Sequence, residues 1–107
     1  MFDFVSLSTT DVASAINPAS AHAFLTIPAG STQKAICVDN AFNVDMCVMV
    51  DQSKPIYVRA GQWKIYDLTA DNTAITSPSK DQVLSIFAVA GVAPSSGNTV
   101  IDGLFGS

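Results

Sequence analysis

Short runs of β-branched and aromatic residues, broken every 8 to 12 residues or so by turn-forming residues, recur along this chain and limit what it can become. The breaks include Asn17-Pro18, Pro28-Ala29-Gly30, Ser53-Lys54-Pro55, Ala60-Gly61, Ser77-Pro78 and Pro94-Ser95-Ser96-Gly97. Pro fixes φ and Gly admits positive φ, so such clusters turn the chain rather than continue a strand. The gaps leave no room for the crossover helices that parallel strands require. Composition agrees: eleven Val, eight Ile and eight Thr stand against five Leu, and all nine acidic residues are Asp. The pattern predicts an all-β fold, a single antiparallel β-sandwich or jelly-roll-like barrel of seven or eight strands.

The expected strands are 4–8, 22–27, 33–38, 44–51, 56–59, 62–68, 82–90 and 99–104. Thr10 to Ile16 reads as one or two helical turns ahead of Pro18. With 107 residues there is one domain, read as an N-terminal arm over 1–21 and a sandwich over 22–107. Strict alternation from Val44 to Asp51 puts Val44, Met46, Val48 and Val50 on a core face and Asp45, Cys47, Met49 and Asp51 on the other. Ala-Gly recurs in Ile27-Pro28-Ala29-Gly30-Ser31 and Val58-Arg59-Ala60-Gly61-Gln62, either as a duplicated hairpin unit or because Gly returns wherever a strand must turn.

Apolar residues are 49% of the chain, which argues against disorder. The longest mostly apolar stretch without a charge, Gln82 to Ala93, is too short to span a bilayer, and Met1-Phe2-Asp3-Phe4 lacks the layout of a secretory signal. The expectation is synthesis in the cytoplasm and no membrane partner. A net charge of −4 argues against nucleic acid.

Catalytic chemistry finds little to work with. His22 is the only histidine, and it opens an expected strand at Ser20-Ala21-His22-Ala23-Phe24, where a strand-edge role suffices. Two cysteines and one histidine do not close a zinc site, and no glycine spacing makes a phosphate loop. Asp39, Asn40, Asn43 and Asp45, or Asp67, Asp71 and Asn72, are oxygen-bearing clusters that calcium uses, but turns favour the same residues. No catalytic residue, metal or cofactor is expected. If 39–45 is a hairpin loop, Cys37 and Cys47 face each other across it, either as a disulfide or as two small apolar thiols.

Binding has better candidates. Tyr57, Arg59, Trp63 and Tyr66 cluster in the Ile56–Leu68 region and suit a sugar ring or a protein partner. Alternation puts Trp63 with Ile65 and away from Tyr66, so Trp63 is assigned to the core and Tyr57, Arg59 and Tyr66 to the surface. A ligand platform predicts an exposed Trp63, and a purely structural role predicts a buried one. Only 14 charged side chains serve the whole surface, which suits burial against other chains. Both ends are apolar, and Met1, Phe2, Phe4, Val5, Leu104 and Phe105 are expected to dock on a neighbour or on the chain's own sheet.

Ile27-Pro28-Ala29-Gly30-Ser31, Val58-Arg59-Ala60-Gly61-Gln62-Trp63, and Ala93-Pro94-Ser95-Ser96-Gly97 leading into Val100-Ile101-Asp102-Gly103 together resemble, over residues 22 to 105, the small β-sandwich structural proteins of tailed bacteriophage particles. The resemblance implies a non-enzymatic virion protein, foremost a head decoration or cement protein on the major capsid protein and a homo-oligomer. A neck, tail or fibre component is the near alternative. A carbohydrate- or receptor-binding sandwich is the alternative of a different class.

Overall fold

Turn residues and β-branched runs divide the chain as expected. The computed structural model describes residues 4–27, 33–50, 53–67 and 81–105, which form eight strands. They are β1 (Phe4–Ser8), β2 (His22–Ile27), β3 (Gln33–Asn40), β4 (Met46–Val50), β5 (Ser53–Val58), β6 (Gln62–Asp67), β7 (Gln82–Ala88) and β8 (Asn98–Phe105). One sheet, A, has the order β1-β8-β3-β6 and the other, B, the order β2-β7-β4-β5. Every pairing is antiparallel.

The order has a simple origin. β1 lies beside β8, β2 beside β7, β3 beside β6 and β4 beside β5. This is the nesting of one long hairpin with the β4–β5 turn at its tip, rolled until its two halves close as facing sheets. That is jelly-roll architecture, with β1, β6, β2 and β5 left at the edges.

The core lies between the sheets. Leu7, Ile36, Val38 and Ile101 come from sheet A, and Met46, Val48, Ile56, Val58, Leu84 and Ile86 from sheet B, all buried. Each contributes about 1.5–3 kcal/mol through removal of apolar surface from water. Register fixes the facing: Val38 pairs with Ile101, which pairs with Val5, while Val48 pairs with Ile86 and Ile56. On β4, Met46 and Val48 face the core as alternation expects. Cys47 and Met49 are buried as well, because β4 is an interior strand and Cys47 sits in a row between Phe87 and Tyr57.

The stretch expected as an arm supplies part of the sandwich from Phe4 onward. β1 is an edge of sheet A, Val12 and Ala15 are buried in the core, and the Ala15 carbonyl accepts from the Ala88 N–H at 2.8 Å. The helical turns expected over 10–16 do not form. The segment makes hydrogen-bonded turns, Ala13 N–H to the Thr10 carbonyl and Ala15 N–H to the Val12 carbonyl, that do not continue into a helix because Val12 and Ala15 are drawn into the sandwich core. Pro18 then opens a 3-10 turn (Pro18–Ser20), which Asn17 caps by accepting from the Ser20 N–H. Pro is suited to that first position because no N–H is needed there.

Two connections lock the roll. Asn40, fully buried, donates through Nδ2 to the carbonyls of Val44 and Val58 at 3.0 Å each, and its Oδ1 accepts from the Phe42 N–H and the Thr99 hydroxyl. Asn43 Oδ1 accepts from the Ser95 and Ser96 N–H groups, and its Nδ2 donates to the Ser95 hydroxyl. The 93–97 loop can approach that closely because Gly97, at φ 91°, has no Cβ to collide with the Ala41 carbonyl. Asn40→Ala strands several buried backbone partners and is expected to destabilise the fold by about 3 kcal/mol. Gly97→Ala, strained and blocked, is expected to cost about 2 kcal/mol or more. Urea unfolding should show both as lowered midpoints at unchanged m.

Candidate functional site

Strand parity decides which side chains this fold presents. On the outer face of sheet A, Ile65 (β6), Cys37 (β3) and Asp102 (β8) form one row, and Trp63, Asp39, Val100 and Ser6 the next. Trp63 is 65% exposed and Ile65 53% exposed, both on an edge strand. The assignment of Trp63 to the core is therefore corrected. Trp63 and Ile65 do share a face, but it is the outer one, because the core-facing position between them, Lys64, pairs with buried Val38. An edge strand can carry its larger apolar side chains outward, since its inward positions lie at the margin of the facing sheet.

The four-residue platform does not assemble. Tyr57 is 58% exposed, but it pairs with Cys47 and so lies on the outer face of sheet B, on the opposite side of the sandwich from Trp63. Arg59 is exposed in the β5–β6 connection. Tyr66 pairs in register with Ile36, and its side chain lies outside the described residues. Among the terminal candidates, Val5 packs against the core, so its expected docking is onto its own sandwich. Phe4, Leu104 and Phe105 belong to β1 and β8, with side chains outside the described residues, where Met1 and Phe2 also lie.

Cys37 and Cys47 are both free. The pairing expected between them fails because β3 and β4 are not hairpin partners: β3 bonds to β6 and β8, and β4 to β5 and β7. The two thiols project from opposite outer faces of the sandwich. Desolvation raises both thiol pKa values, reinforced at Cys37 by the nearby carboxylates of Asp102 and Asp39.

The oxygen-bearing clusters are spent on structure. Asn40 and Asn43 hold the connections described above, and Asp45 accepts the Ala60 N–H at 2.8 Å. Asp71 and Asn72 lie outside the described residues, as does the side chain of Asp67. Among the described residues, no three His, Cys, Asp or Glu side chains gather as metal ligands would. His22 is half-buried at the start of β2, paired with Ile86. The nearby Asp11 carboxylate is committed to the backbone N–H and hydroxyl of Ser8, which hold its pKa below the usual value, with a smaller contribution from the His22 charge.

The exposed pair Trp63 and Ile65 on β6 is thus the candidate site. Residue identity alone did not mark Ile65, because nothing in Gln62-Trp63-Lys64-Ile65-Tyr66-Asp67 tells an edge strand from an interior one. No family model, curated protein or solved structure matches this chain. A thiol reagent at neutral pH is expected to leave Cys47 unmodified in the folded protein and to label Cys37 slowly, both reacting fully in denaturant. Rapid labelling of both in the native state would contradict their placement.

Proposed function

We propose that this chain is a non-enzymatic structural protein that works by binding other protein chains, in the setting of a bacteriophage particle where it decorates the head shell. The observation that carries the reading is the outward apolar display of Ile65 beside Trp63 on β6, an edge among the described strands. The exposure of Trp63 by itself runs against the buried position this reading expected and is shared with the second reading. Water contact with such a pair is costly, and covering it gives a partner chain an aromatic anchor of the kind that dominates protein interfaces. The sparse surface charge lowers the desolvation cost of packing such surfaces together. Jelly rolls also recur in viral capsid proteins, which supports the setting by analogy of fold alone.

Jelly rolls recur in lectins too, and the exposure of Trp63 favours a carbohydrate-binding reading as the second one. An indole stacks on a sugar ring, and Asp39, its neighbour in register, offers a carboxylate to sugar hydroxyls. Against it stands the dispersal of Tyr57 to the other side of the sandwich.

Co-sedimentation with purified phage head shells stripped of accessory proteins, run beside a glycan array, separates the two. The protein is expected to pellet with shells, and Trp63→Ala to weaken that binding by about tenfold or more. Retention by glycans with no pelleting on shells would transfer the assignment to the carbohydrate reading.

A further inference from the structure

The four strand edges of the sandwich are not equivalent. β5 carries Pro55, whose missing N–H interrupts an edge, and its pairing with β4 shifts register between Val48 and Val50. β2 is broken by a bulge between Ala23 and Leu25. β1 is the short N-terminal strand Phe4–Ser8, and its inward Val5 and Leu7 are spent on the core. β6 has no proline and no bulge, and Lys64 at its inward-facing position is its one guard: its pairing with β3 runs without a shift from Gln62 to Asp67, and it presents Trp63 and Ile65 outward. A regular strand with an apolar outer face and no second partner among the described strands is a template for another strand.

The strand's own pattern identifies the occupant. In a two-fold antiparallel pairing of β6 with β6 of another copy, like faces meet only when paired residue numbers have an even sum. Centring on Ile65 sets Ile65 against Ile65, Lys64 opposite position 66 and Trp63 opposite position 67. Apolar then meets apolar at the centre, and no Lys64 meets a second Lys64. Centring one residue earlier would oppose Lys64 to Lys64, a like-charge contact in the middle of the seam. Centring on Trp63 or on position 66 overlaps only three residues of β6, so strand overlap and charge together select the register centred on Ile65.

We infer that this protein self-associates through β6 as a two-fold dimer centred on Ile65, joining two A sheets into one continuous sheet. This rests on the reading of β6 as the contact edge, and does not depend on the virion setting. An isologous seam closes on itself, so the dimer leaves no second β6 edge to propagate a fibre. A seam of one strand pair buries less than a standard stable interface, so the association is concentration-dependent.

The test has two parts, both run without shells. Light scattering is expected to give the 11.2 kDa monomer when dilute and twice that mass when concentrated, with Ile65→Lys holding the protein at the monomer mass. For register, Ile65→Cys and Lys64→Cys are each made in a Cys37→Ser background, because Cys37 pairs with Ile65 in register and would capture the new thiol within one chain. Mild oxidation is expected to trap a disulfide dimer for Ile65→Cys and little for Lys64→Cys. A monomer mass at every concentration, or trapping at Lys64→Cys in place of Ile65→Cys, overturns the inference. Shell binding that survives in a protein that stays monomeric would overturn the dimer alone and leave the proposed function standing.

Discussion

The carboxamide of Asn40 is the interaction on which this sandwich depends. Its four hydrogen bonds reach the Val44 carbonyl and Phe42 N–H in the connection leaving β3, the Val58 carbonyl on β5 in sheet B, and the Thr99 hydroxyl on β8 in sheet A. A single fully buried side chain thereby holds both sheets at the point where the chain crosses from one to the other. An amide suits this position because it both donates and accepts, so each partner is satisfied without burying a charge. Phe42 is buried beside it and closes that end of the core. Asn43, Gly97 and Asp45 extend the same contact outward to the 93–97 loop and the β5–β6 turn.

Once the crossing is fixed there, the remaining topology follows. β3 leaves sheet A through Ala41 to Asp45, so β4 begins in sheet B and the β4–β5 turn becomes the tip of the rolled hairpin. Gly61, at φ 76°, donates to the Asn40 carbonyl at 2.8 Å and returns the chain to sheet A as β6. β6 then has β3 on one side and is an edge on the other. The outward display of Trp63 and Ile65, and the contact function proposed for them, descends from the way the chain turns around one asparagine.

Much of the fold was legible in the sequence, because strand formation here is a local matter. Pro and Gly clusters end the runs, and β2 spans His22–Ile27 and β1 Phe4–Ser8 as the pattern expects. What was not legible depended on which strands become neighbours. The Cys37–Cys47 pairing assumed that residues 39–45 form a hairpin loop, whereas buried Asn40 and Phe42 turn that segment into a crossing between sheets. Trp63 was assigned inward because apolar residues sharing a face of a strand ordinarily mark the core, and alternation says which residues share a face but not which face is covered. The site was half legible for that reason: the residues were prominent, and their exposure came only from the position of β6 at an edge.

Trp63 is the only tryptophan of the chain, so its fluorescence reports on the β6 edge without interference from another indole. Iodide quenching of that emission in dilute solution tests the central claim directly, that β6 presents its apolar face to solvent. The account predicts emission characteristic of a water-exposed indole and efficient quenching, both close to those of the denatured chain. Blue-shifted emission protected from iodide at the highest dilution would place Trp63 inside the protein and contradict it.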